Sequence, residues 1–312
     1  MNFIIQISKY IIGIGLIVWL VSTGQIDLNS IAELTSQTFI IAMILSFASL
    51  FFATYRLKIL LKTQHFKVGF FETYKLNMLG IFYSLFLPGG VSGDILKGFH
   101  LLKYRNDNNS KTNIITTLFL DRYLGLYAMF VLASIVSTFT DFQSPKIEYV
   151  KYIIFVITLG LTVSPFFIYF LIKLLHDFHL LKKFDYLYSK MIKVKQSIQK
   201  FMKLKLLLTS VLLGIVGHVL TILIIWTISV DLNFMIGLYN ALIVSPIAFV
   251  VNLLPISPGG IGVGEKAFKE LFLLYGIEGG ATVFFISRFF MYLPGLYGAY
   301  VFTQQKFSIK RD

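Results

Sequence analysis

The sequence predicts an all-α polytopic membrane protein, with about six full spans and two opposed re-entrant broken-helix hairpins in an inverted repeat. Composition is the first ground. Of 312 residues, 56% are hydrophobic and only 14% charged, with mean hydropathy +0.77; a soluble domain carries about a quarter charged residues. The second ground is a series of apolar runs of roughly 20 residues, long enough to cross a bilayer as helix. The third is a pair of apolar regions that break their own backbone, LFLPGGVSGD at Leu85–Asp94 and LLPISPGGIGVGE at Leu253–Glu265.

Full-length spans read at 8–24, 38–61, 112–139, 151–172, 206–229 and 281–303. The first holds Lys9 inside its apolar stretch and no A-x-A site follows, so it reads as a signal anchor rather than a cleaved peptide. The longest polar region is about thirty residues, too short for a soluble domain, so residues 1–312 form a single transmembrane domain. There is no cysteine, which excludes disulfides and thiolate metal sites. The net charge of +13 sits on lysines between spans, where the positive-inside rule and anionic lipid account for it without nucleic acid.

Loop charges assign the sides. The loop at 25–37 has Asp27 and Glu33 without Lys or Arg, which places it outside. Arg56 and Lys58 stand at the end of the second span and Lys62 and Lys67 after it, and nine lysines stand against Asp177 and Asp185 in residues 173–205; both regions read as cytoplasmic. With Lys306, Lys310 and Arg311 in the tail, both termini lie inside. The regions 69–105 and 237–276 must then each return to the side they enter from, as hairpins dipping from opposite faces. Residues 38–139 and 206–303 thus repeat one order: span, broken hairpin, span with an arginine. Pro88 to Arg122 is 34 residues and Pro258 to Arg288 is 30.

The breaks carry chemistry. Proline ends the incoming half-helix, and glycines permit left-handed dihedrals and close backbone approach. The outgoing half-helices, beginning near Ser92 and Gly262, expose free N–H groups and a positive dipole end that suits phosphate or carboxylate. Backbone unpaired in hydrocarbon costs several kcal/mol per group, so such breaks persist where protein or a polar cavity satisfies them. Asp94 and Glu265 fall in the first turns, as helix caps or as partners for a substrate ammonium, a proton or an arginine. Arg122 and Arg288 lie at membrane depth, where arginine is costly and faces a cavity or a partner; the planar fork fits phosphate. Asp94 or Asp121 is the alternative partner of Arg122, and Glu265 that of Arg288. Neighbours on a helix point about 100° apart, so Asp121 does not neutralise Arg122 directly.

PGGVSGD with Asp121-Arg122-Tyr-Leu-Gly downstream, then SPGGIGVGE and Arg288, resembles the lysylphosphatidylglycerol synthase transmembrane family of flippase-like integral membrane proteins, over nearly the whole chain. The resemblance implies a bacterial or archaeal inner-membrane protein that moves charged lipids, such as aminoacyl phosphatidylglycerol, between leaflets. By motif it implies substrate-site positions Gly89, Gly90, Asp94, Asp121, Arg122, Gly259, Gly260, Gly262, Glu265 and Arg288, with helix breaks at Pro88 and Pro258. Two departures stand out. The chain ends at Asp312 without the soluble aminoacyl-transferase domain of the full synthases, and Lys97 stands where arginine is expected, after an inserted-looking Val91-Ser92.

Residues 176–203 place Leu180, Phe184, Leu187, Met191, Val194, Ile198 and Phe201 every three or four positions, an amphipathic helix with lysines opposite. It reads as a lipid-gathering surface of the inner leaflet or as a plain elbow. His65, His100, His176, His179 and His218 have no zinc spacing, His218 reads as a packed polar residue, and no Walker A motif occurs. The expected function is translocation of a charged phospholipid, anionic or aminoacylated, without cofactor, metal or catalytic constellation. A separate lipid-modifying enzyme and a homo-oligomer are compatible partnerships. A lipid transferase, a small-anion transporter and a non-transporting regulatory partner are the alternatives; the acids are not clustered in the D-x-x-D style that binds Mg²⁺.

Overall fold

The computed structural model describes residues 29–86, 92–105, 110–139, 145–177, 194–254 and 260–304, with isolated residues at 18, 21, 22, 26, 256 and 257. Among these the regular structure is helical, without strands. Most of the expected first span, most of the amphipathic helix, and Pro88, Gly89, Gly90, Pro258 and Gly259 lie outside the described residues.

After a single turn at Ser30–Glu33 come α1 (Ser36–Thr63), α2 (Phe70–Phe86), α3 (Ser92–Leu101), α4 (Lys111–Thr138), α5 (Pro145–Asp177), α6 (Leu204–Asp231), α7 (Leu238–Asn252), α8 (Val263–Leu273) and α9 (Gly280–Gln304). Helices α1, α4 and α6, and residues 148–165 of α5, are long and apolar enough to cross a membrane. Helix α9 has 25 residues, about 37 Å at 1.5 Å per residue. Helices α2, α3, α7 and α8 have 17, 10, 15 and 11 residues, each short of the roughly 20 a span needs. The protein is therefore an all-α polytopic membrane protein.

Local chemistry fixes several ends. Ser110 and Asn113 form a reciprocal capping box at the start of α4. Thr35 caps α1 by accepting from the Thr38 amide, and its own amide donates to Asp231 Oδ2 at 2.8 Å, tying the start of α1 to the end of α6. Gly262, at φ 82°, caps α8 in a conformation that glycine adopts without strain.

The short helices pack in pairs, α2 on α3 and α7 on α8. The long helices α1 and α6 lie against each other along an extended face. Around them, α2 packs on α9 and α7 on α4; α3 packs on α4 and α8 on α9; α1 meets α2 as α6 meets α7. Helix α5 stands to one side, against α4 and α7, and turns Tyr152, Val156 and Leu159 outward. The densest core fills the α6–α9 region, where Phe268 and Phe284 stack with centroids 4.1 Å apart and Phe272 and Phe290 are fully enclosed.

Small residues bring α9 and α2 close, as in membrane helix packing generally. A Cβ at Gly298 would stand 2.3 Å from the Met78 carbonyl oxygen, and one at Gly295 3.2 Å from the Phe82 amide nitrogen. Backbone cannot rotate aside, so Gly298→Ala should push α9 off α2 and cost about 1–3 kcal/mol, the usual range for overpacking. A thermal unfolding midpoint equal to that of the wild type would contradict this close approach.

Candidate functional site: a charged cavity between the helices

Three arginines are held by carboxylates from other helices. In the first turn of α3, Asp94 receives Lys97 Nζ at 3.1 Å on Oδ1 and Nε of Arg122, from α4, on Oδ2. Helix α3 comes near enough because Gly93 faces Gly80 of α2; a Cβ at Gly93 would stand 2.2 Å from the Gly80 carbonyl oxygen. Of the two acids weighed for Arg122, Asp94 is the partner. Arg122 keeps 37% of its side chain exposed, against 12% for Asp94.

The second arginine is enclosed. Glu265 has no exposed surface, and Arg288 Nε stands 2.8 Å from its Oε1 in an ion contact without linear hydrogen-bond geometry. Arg288 Nη2 donates to Glu265 Oε2 at 3.2 Å, to Asn252 Oδ1 at 2.9 Å and to the Gly260 carbonyl at 3.2 Å. The Gly262 amide donates to Glu265 Oε2 at 2.7 Å, so one carboxylate both caps α8 and holds α9. Phe284 lies under the guanidinium at 4.8 Å, in cation–π range. Gly264 leaves the room: a Cβ there would meet Asn252, Phe284 and Arg288 at 2.5–2.6 Å.

The third arginine escaped the sequence reading. Arg56, counted there as a cytoplasmic flanking charge, is buried in α1 and donates through Nε to Asp121 Oδ1 at 2.7 Å. Asp121 thus serves Arg56 while its neighbour Arg122 turns to Asp94. His218 of α6 lies close by and donates from Nε2 to the Gly125 carbonyl at 2.9 Å.

These groups surround a cavity of about 1120 Å³ walled by α1, α2, α3, α4, α6, the end of α7 and α9. Arg56, Asp94, Lys97, Lys111, Asp121 and Arg122 face it, four cations against two carboxylates, together with His218, Asn77 and Asn252. Glu265 and Arg288 are not among its described lining residues; Asn252 connects the two regions. Ile95 and Phe99 of α3 and Ile115 and Phe119 of α4 line the cavity and are also 59–68% exposed, so its apolar wall continues onto the outer surface between those two helices. Among the described residues no cluster of His, Cys, Asp or Glu could hold a metal ion.

A helical membrane protein with a charged cavity opening between helices is the class these features define. The family known as the lysylphosphatidylglycerol synthase TM region matches residues 6–298, and the chain belongs to that family. No curated protein and no solved structure shows significant similarity to it.

Proposed function

We propose that the protein translocates a charged phospholipid, or a related lipid-linked head group, between the leaflets of a bacterial or archaeal cytoplasmic membrane. One observation carries this reading: a cavity with a charged interior whose apolar wall runs out onto the surface between α3 and α4. Such a shape takes a polar head group inside while acyl chains stay in the bilayer. A small soluble anion has no use for four exposed apolar side chains at the mouth.

In this reading Arg122, whose terminal amines meet no acceptor among the described residues, takes the head-group phosphate. Asp94 meets a cationic head-group amine or a proton, and Asp121, Gly89 and Gly90 complete the first site. Gly259, Gly260, Gly262, Glu265 and Arg288 form its counterpart in the second half, with Pro88 and Pro258 breaking the two re-entrant hairpins. The inverted repeat, 38–139 against 206–303, draws support from the packing. Exchanging α1 with α6, α2 with α7, α3 with α8 and α4 with α9 turns each of the main contacts among these eight helices into another of them. Alternate opening of the two halves would present the head group to each leaflet, downhill or driven by an ion gradient. Helix α8 is packed extensively on α9 while α3 touches α4 only lightly, which in this reading makes the second half the closed one and the first the open one. Loop lysines put both termini in the cytoplasm, and the basic helix around 176–203 gathers anionic lipid there.

Liposome reconstitution tests the proposal through leaflet exchange of labelled phospholipids with different head groups. Head-group-selective exchange should exceed that of empty liposomes and fall at least about tenfold in folded Arg122→Ala, the scale of a lost charge-assisted hydrogen-bond pair. Arg288→Ala should also lose exchange. Rates equal to empty liposomes across anionic and aminoacylated lipids, with and without a proton gradient, would overturn it. Neutralising Lys190, Lys193 and Lys195 should slow exchange of anionic lipid; an unchanged rate would remove the basic helix from the mechanism.

A further inference from the structure

Arg56 is the least expected group in the cavity wall. Its side chain is only 10% exposed, yet it faces the cavity. The single bond it makes runs backward, from Nε to Asp121. Among the described residues neither Nη1 nor Nη2 has an acceptor. The room around that free end is cut from two other helices by missing side chains. A Cβ at Gly125 of α4 would stand 2.9 Å from Nη1 and 3.0 Å from Nη2, and one at Gly214 of α6 3.2 Å from Nη1. Three helices thus converge to hold one guanidinium by its rear nitrogen and leave its fork open to the cavity.

A guanidinium fork without protein acceptors matches two oxygens of a phosphate in a bidentate pair. Asp121 fixes the orientation of the fork without occupying it. It also cancels much of the charge of Arg56 itself, but Lys97, Lys111 and Arg122 keep the wall net positive. Depth is the other consideration. Along α4 the cavity lining runs from Lys111 past Arg122 and Gly125 to Met129, a climb of about 27 Å at 1.5 Å per residue. Arg56 bonds Asp121 through Nε and brings its terminal nitrogens beside Gly125, about 4.5 Å further along that path than Arg122 at 1.5 Å per residue, between α1 and α6, the two helices that are counterparts in the proposed repeat.

We propose that Arg56, oriented by Asp121 and given room by Gly125 and Gly214, is a second and deeper phosphate-binding station of the cavity, where the phosphodiester of the lipid rests after it leaves Arg122. The phosphodiester identity rests on the lipid reading above; the anion site itself does not. This residue takes a role that Arg288 does not fill in this conformation, because Arg288 is occupied by Glu265, Asn252 and Gly260.

The test uses the full chain in detergent micelles and calorimetric titration with dihexanoylphosphatidylglycerol, dihexanoylglycerol and inorganic phosphate. Arg56→Gln alone strands Asp121, so the variants are Arg56→Gln with Asp121→Asn, which removes both charges together, and Arg56→Lys, which keeps the charge and loses the fork. The wild type should bind the phosphatidylglycerol and not the dihexanoylglycerol, with inorganic phosphate competing weakly. The double variant should lose at least about tenfold in affinity and Arg56→Lys several-fold, the scale of a charged hydrogen-bond pair, with thermal midpoints near wild type. If the double variant does not fold, Arg56→Lys decides. Affinity unchanged in the folded variants would overturn the site. Dihexanoylglycerol binding as tightly would overturn phosphate recognition, and inorganic phosphate binding as tightly as the lipid would overturn the phosphodiester assignment. Leaflet exchange by the wild type separates this inference from the function it rests on. Exchange with unchanged binding in the variants defeats the Arg56 site alone, and variant-sensitive binding without exchange defeats the translocation reading alone.

Discussion

Replacing Glu265 by alanine should cost about 3–5 kcal/mol of stability, the penalty of leaving a buried partner charge uncompensated. Glu265 is fully enclosed and Arg288 is 6% exposed, so neither bulk water nor salt replaces the lost carboxylate. Asn252 and the Gly260 carbonyl remain as acceptors but carry no negative charge. The same carboxylate holds the Gly262 amide, so its removal also frees the first turn of α8, at about 1 kcal/mol for a lost cap. Thermal unfolding of the purified protein gives the size of the effect. The combination Glu265→Gln with Arg288→Met should be less damaging than Glu265→Ala alone, since it removes both charges together. A Glu265→Ala protein that melts with the wild type would show that the pair does not hold α8 to α9.

On the proposed function, Asp94→Asn should change which lipid is moved rather than whether the protein folds. Asparagine has nearly the size of aspartate and its amide oxygen can still accept from Lys97 or Arg122, so the start of α3 is kept. What is lost is the charge that offsets Lys97 and Arg122. The cavity then presents four cations against one carboxylate. Exchange of an anionic phospholipid should be favoured over an aminoacylated one by roughly tenfold relative to wild type, the scale of one charged hydrogen bond of about 1.5–3 kcal/mol. The measured quantity is the ratio of the two exchange rates in the same vesicles. A ratio equal to that of the wild type would remove Asp94 from head-group selection and leave it as a cap.

Much of this was legible in the sequence, and the reasons differ by residue. The helical membrane class follows from composition and run length, which need no tertiary information. The pairing of Arg122 with Asp94 rather than Asp121 follows from the angle between neighbours on a helix. Arg56 was not legible because it lies in the last two turns of α1, among Lys58 and Lys62, where basic residues ordinarily mark the membrane edge. A hint existed: once Asp121 is turned from Arg122 it needs a cation elsewhere, and Gly125 lies one turn along α4. The contrast between the two arginine sites was hidden too. LPGGVSGD and SPGGIGVGE look alike, but the second arginine is sealed by Asn252 and Phe284, which lie outside either motif. The cavity itself is tertiary, made where small residues on α4 and α6 leave room that the helices do not close.

The central claim, that the cavity carries a lipid head group, meets its most direct test in vesicles that report two fluxes at once. Reconstituted wild-type protein would be given labelled phosphatidylglycerol in one leaflet and inorganic phosphate outside. The account predicts leaflet exchange well above that of empty vesicles, with phosphate uptake no faster than theirs. Phosphate uptake without lipid exchange would contradict it and make the cavity a path for small anions.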